Sequence, residues 1–163
     1  MRQLSHDEIQ NSSHSGHIRL ICDHIKSPDN VGMIFRVCEA FSVEEIVFIG
    51  NDLTTNKRAI KAARSTMKAI EVKVYQTHHD FPAKDYYPLI AIERTDVSHG
   101  LTDFVFTNRK INLVLGEEST GVSQNLLSHC SDSVHITQFG KNSSMNVVTA
   151  LSIVLFEAIK QLT

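Results

Sequence analysis

Ile111–Gly121 (INLVLGEESTG) runs from a mostly apolar stretch straight into a polar, glycine-bounded loop. Ile111–Leu115 has the length and apolar run of a buried strand, and Gly116 begins the turn that ends it. The same design recurs along the chain. Ile18–Cys22 (IRLIC), Glu45–Ile49 (EIVFI, closed by Gly50), Val72–Tyr75, Leu89–Ile92 (LIAI) and Ser133–Ile136 read as strands. Between them lie helical patterns at Asn30–Phe41, Lys57–Ala69 and Ser123–His129. The chain closes with a helix in which Val147, Ala150, Leu151, Val154, Leu155, Ala158, Ile159 and Leu162 form one apolar stripe.

Strands alternating with helices predict an α/β domain, with a mainly parallel sheet covered by helices on both faces. Such sheets bind ligands beyond the carboxyl ends of their strands, where the connections change direction. Residues 1–17 (MRQLSHDEIQNSSHSGH) read as an N-terminal arm, and 18–163 as a single domain.

With 42% hydrophobic and 21% charged residues among 163, the chain carries enough apolar material for a packed core. Cys22, Cys38 and Cys130 form no CxxC pair and match reduced thiols, so a cytoplasmic location is expected. No apolar run reaches the roughly 18 residues of a membrane span, so no membrane partner is expected. Nine histidines include the adjacent pair His78-His79, a spacing foreign to helical or zinc ligation, and no metal site is expected.

Gly116–Ser123 imitates the glycine and serine spacing of a phosphate-binding loop. It lacks the lysine before the serine, and it sets Glu117 and Glu118 where phosphates would lie. Carboxylates repel phosphate, so this loop suits a neutral or cationic ligand. The net charge of −2 also argues against bulk attraction to nucleic acid. A local patch counters it. Lys57, Lys61, Arg64 and Lys68 fall on one face of a predicted helix, with Arg58 and Lys73 nearby, giving six of the chain's 16 basic residues. Such a concentration serves phosphate contacts, although a solvated helix face has the same appearance.

Three segments carry a resemblance. Ser27–Arg36 contains Asn30-x-Gly32-x-x-x-Arg36 at a strand-to-helix turn. Leu113–Gly121 is the loop above, and Ile136–Val147 (ITQFGKNSSMNV) leads into the last helix. In this order and spacing the chain resembles the SpoU/TrmH branch of the SPOUT RNA methyltransferases, over about Ile18 to Leu162. The resemblance implies a C-terminal trefoil knot, a homodimer, and methyl transfer from S-adenosylmethionine to a ribose 2′-hydroxyl of RNA, with tRNA favoured over rRNA. By position it implies catalytic roles for Asn30, Arg36, Glu118, Ser144 and Asn146. It implies cofactor contacts at Ile92, Leu115, Gly116, Ile136, Gln138 and Met145. The RNA contacts expected from the basic patch are Lys57, Arg58, Lys61, Arg64 and Lys68.

The third motif departs from the family pattern. It reads Ile136-Thr137-Gln138 in place of Ile-Pro-Met, and Ser144-Met145-Asn146-Val147-Val148 in place of Ser-Leu-Asn-Val-Ser. The missing proline leaves the loop less preset, whereas leucine to methionine conserves volume. Two other readings compete: a catalytically inactive S-adenosylmethionine- or RNA-binding module of the same fold, and a plain nucleotide-binding α/β domain.

Overall fold

A computed structural model of the protein describes residues 1–107, 109–141 and 144–163. Seven strands form one sheet: β1 (His17–Asp23), β2 (Glu45–Ile49), β3 (Glu71–Tyr75), β4 (Leu89–Ile92), β5 (His99–Gly100), β6 (Lys110–Leu115) and β7 (Asp132–His135). Their order is β3-β2-β1-β6-β4-β7-β5, and each pairing is parallel. The interior strand β1 pairs with β2 through Leu20 and Ile46, and with the central β6 through Leu20 and Leu113. Burial on both faces explains why these strands read as apolar runs and do not alternate.

The two faces are covered unequally. On one, Leu20, Ile46, Phe48, Leu113 and Val134 pack beneath α1 (Pro28–Ala40), α2 (Lys57–Ala63) and α4 (Val147–Leu162). On the other, Ile21, Val47, Ile49, Ala91 and Val114 meet Phe81, Tyr86 and Leu126. That second cover is a 3-10 turn at Ala83–Tyr86 and the short α3 (Gln124–Leu127).

Local signals set the helix ends. Ser27 caps α1 by accepting from the Asn30 amide at 3.3 Å, and Pro28 occupies the first turn. Gly32 of α1 is needed for a close approach: a Cβ there would sit 2.5 Å from the Ala59 carbonyl oxygen of α2. Asn146 caps α4, its Oδ1 accepting from Val148 N–H at 2.9 Å. Val148, Leu151, Val154, Leu155 and Ala158 of that helix are buried. Asn142 and Ser143, read with Ser144 as cap-type residues ahead of it, lie outside the described residues.

One predicted helix is corrected. The pattern over Lys57–Ala69 is not continuous: α2 stops at Ala63, Arg64 takes φ 57°, and the chain restarts as a 3-10 turn at Thr66–Ala69. A left-handed arginine breaks the helical repeat, so Arg64 and Lys68 do not extend the face that carries Lys57 and Lys61. No described helix is long and apolar enough to cross a membrane.

Candidate active site

The carboxyl ends of β4, β6 and β7 open on a cavity of about 350 Å³. Its walls are Ile92, Glu93 and Arg94 at the end of β4, Leu115–Gly121 at the end of β6, Val134–Ile136 and Gln138 at the end of β7, and Ser144, Met145, Val147 and Ala150 at the entry to α4. All six residues expected at the cofactor, Ile92, Leu115, Gly116, Ile136, Gln138 and Met145, line it. Glu118 and Ser144 line it too.

The Gly116–Gly121 loop is tightly folded. A Cβ on Gly116 would lie 2.2 Å from the Gly121 carbonyl carbon and the Val122 nitrogen, so only glycine lets the two ends of the loop meet. Glu117 holds the turn from inside. Its Oε2 accepts from Ser119 N–H and Oγ–H at 3.1 and 2.7 Å, and from Thr120 N–H and Oγ1–H at 2.9 and 2.8 Å. The Ser119 and Thr120 hydroxyls, seconded by their amides, hold the Glu117 carboxyl down to about 2. Glu93 fastens the far end, accepting from Val122 N–H at 3.0 Å. Both carboxylates are therefore engaged with the backbone of their own surroundings. Sequence reading overlooked the Glu93 contact, which joins residues 29 positions apart.

Glu118 turns the other way. It accepts a hydrogen bond from the Asn30 side-chain amide, and the Asn30 carbonyl in turn accepts from Asn146 Nδ2 at 3.3 Å. Three of the five expected catalytic residues, one from each motif, thus form a continuous chain beside the cavity. Arg36 stands apart from them. It lies two turns further along α1, where its Nη1 is 3.7 Å from Met33 Sδ. Among the described residues its guanidinium meets no carboxylate within ion-pair distance.

Of the basic group, Lys57, Arg58, Lys61, Arg64 and Lys68 are all exposed. Arg58 pairs with Asp29, next to Asn30, which ties α2 to the first motif. Lys73, nearby in sequence, is neutralised by Glu45 and by Glu71 at 3.5 Å. Among the described residues, one group of metal-ligating side chains comes together: Asp23 and His24 at the end of β1, and His78 from the segment after β3.

The model of the SpoU rRNA methylase family matches residues 17–156, which takes in every strand and most of α4. The chain belongs to that family. Among curated relatives, the tRNA (guanosine(18)-2′-O)-methyltransferase of Escherichia coli K12 is 28% identical over 143 residues, covering 85% of this chain and 61% of its own. The 23S rRNA (guanosine-2′-O-)-methyltransferase of the same strain is 28% identical over 147 residues, covering 87% and 59%. This SpoU-family chain therefore spans about three fifths of the length of both. The AdoMet-bound rRNA methyltransferase from Sinorhizobium meliloti superposes with a TM-score of 0.83 at 22% identity, over 94% of this chain and 62% of that one. It shares the fold.

Proposed function

We propose that the protein transfers a methyl group from S-adenosylmethionine to a ribose 2′-hydroxyl of RNA. The observation that carries this reading is the Asn146–Asn30–Glu118 chain, which joins the three motifs at the edge of a cavity lined by all six expected cofactor contacts.

The cavity fits the cofactor. Its volume lies within the range of small-molecule sites, and Ile92, Leu115, Ile136 and Met145 supply apolar walls. Among the described residues of the lining, three carboxylates, Glu93, Glu117 and Glu118, outnumber one guanidinium, Arg94, which suits a cationic ligand over a triphosphate. When bound, S-adenosylmethionine supplies an activated methyl group on a positively charged sulfur. The protein's part is chiefly to hold the hydroxyl in line with that methyl.

Arg36 is the residue for the nucleic-acid side. Its guanidinium is a fork of donors with no acceptor, suited to bind an anion and not to serve as a base. It binds the phosphate beside the target ribose and stabilises the developing alkoxide, while the proton leaves through phosphate or water. Glu118, Asn30 and Asn146 fix the loop against α1 and so set the distance between Arg36 and the cavity. Ser144 lies on the cofactor side.

The substrate we favour is tRNA over rRNA, with Lys57, Arg58, Lys61, Arg64 and Lys68 meeting its backbone from α2 and the turn after it. The curated relatives include one protein named for each RNA. The protein acts as a cytoplasmic homodimer, its C-terminal part forms a trefoil knot, and residues 18–163 are one domain behind a 1–17 arm. The placement of β6 between β1 and β4 supports the knot. The dimer is supported by Met33 of α1 and Phe156 of α4, large apolar side chains left exposed on two helices that pack together.

Titration calorimetry with S-adenosylmethionine, S-adenosylhomocysteine and ATP tests the cofactor. Saturable binding of the first two and none of ATP is expected. Binding of ATP alone would replace this reading with the nucleotide-binding domain. Cofactor binding without transfer to any RNA would leave the inactive module.

A further inference from the structure

Outside the cofactor cavity, one carboxylate and two imidazoles converge at the ends of β1 and β3. The ligand atoms of Asp23, His24 and His78 all lie within 4.8 Å of one another. Asp23 Oδ1 is 2.7 Å from His24 Nδ1 and 2.8 Å from His78 Nε2. Asp23 Oδ2 accepts from Ser123 N–H at 2.7 Å, and Ser123 Oγ is 3.0 Å from His78 Nε2. Asp23 is 1% exposed, and among the described residues no lysine or arginine pairs with it. Its side-chain partners are two imidazoles and the Ser123 amide, with no fixed cation beside it among the described residues. His24 adopts φ 54° beside it, a backbone conformation unusual for a non-glycine residue.

We propose that Asp23, His24 and His78 form a binding site for one divalent transition-metal ion of the Zn²⁺, Co²⁺ or Ni²⁺ type. Two imidazole nitrogens and one carboxylate oxygen are a donor set for such ions, whereas Mg²⁺ and Ca²⁺ prefer oxygen alone. Metal–ligand distances of about 2.0–2.2 Å place neighbouring donors about 3.3 Å apart, so the cluster opens by roughly half an ångström to admit the ion. Each imidazole would bind the ion through its inward nitrogen and carry its proton on the outward one. The Ser123 amide holds the free carboxylate oxygen, as outer partners of metal ligands commonly do. Ser123 Oγ or a water takes the fourth position. His24, partly exposed, gives the ion a way in.

The ion would tie β1, the segment after β3 and the start of α3 into one unit. Ser123 follows Val122, the residue held by Glu93, so the metal would brace the far end of the cavity loop. The site does not depend on the methyl-transfer reading.

Chelator-treated full-length protein titrated with Co²⁺ tests this. A saturable visible absorption band at one Co²⁺ per chain is expected, together with a rise in melting temperature on adding Zn²⁺ but not Mg²⁺. His24→Gly, which suits the left-handed backbone, and His78→Asn, which keeps a hydrogen-bonding side chain, should abolish the band. His129→Ala, at an exposed position just beyond α3, should leave it intact. Absence of a saturable band in the wild-type protein overturns the proposal whatever the variants do, as does a band that survives in both site variants.

Discussion

The Asn30 side chain donates to Glu118 across 88 residues of sequence, joining the first turn of α1 to the loop after β6. Asn146 completes the contact from the start of α4. These three residues sit near the surface and add little to the core, so their arrangement bears mainly on the loop that borders the cavity.

Asn30→Ala should therefore separate activity from stability. The contact is exposed and contributes little to folding, but it positions the loop beside the cavity, so methyl transfer to RNA should fall roughly 10-fold, about 1.4 kcal/mol in the barrier, while the melting temperature moves little. Steady-state rates and thermal melts on one preparation decide it. An unchanged rate would mean that the contact does not position the loop.

Asn146 has two jobs that substitutions can divide. Asn146→Ala removes the α4 cap and should cost about 1 kcal/mol, seen as a fall of roughly 2–4 °C in melting temperature. Asn146→Ser keeps a capping oxygen but loses the amide that reaches Asn30. It should melt like the wild type and transfer more slowly. Equal loss of stability in both variants would contradict this division.

Gly116→Ala drives a methyl group into the backbone at Gly121 and Val122. Backbone cannot swing aside as a side chain can, so the loop must open. The expected cost is about 1–3 kcal/mol by analogy with overpacked cores, together with loss of cofactor affinity by calorimetry. Normal binding by this variant would show that the close approach is dispensable.

The Glu117 carboxyl is held at about 2, below its ordinary 4.5, by the Ser119 and Thr120 donors. A carboxyl depressed by folding contributes stability that is fully present above about 4.5 and is lost as pH falls toward 2. Glu117→Gln should flatten the dependence of melting temperature on pH across that window relative to the wild type. Parallel curves would assign the acid sensitivity to other carboxylates.

The sheet was legible because buried parallel strands leave continuous apolar runs, and β1, β2, β4 and β6 stand within a residue or two of their sequence bounds. The final helix was equally plain from its apolar stripe. The break after Ala63 was not, because a left-handed arginine has no mark of its own; the Ser65-Thr66 pair, poor in helix propensity, was the available hint. At the site, motif order located the cavity residues. The inward use of Glu93, and the meeting of Asp23 with His78, depend on contacts between distant segments that no local spacing records, whereas the hydrogen bonds of Glu117 go to Ser119 and Thr120 within its own turn.

Alkaline hydrolysis reads methylation of a ribose 2′-hydroxyl directly. RNA is cleaved in alkali through attack by the free 2′-hydroxyl, so a 2′-O-methyl group leaves a resistant dinucleotide. The protein should be incubated with S-adenosylmethionine labelled at the methyl group and with bulk tRNA or rRNA, and the RNA then digested in alkali. Label in alkali-resistant dinucleotides, lost when Arg36→Ala replaces the wild type, is the predicted result. Label confined to mononucleotides would place the methyl on a base and contradict the account, as would no label in either RNA from a protein that binds the cofactor.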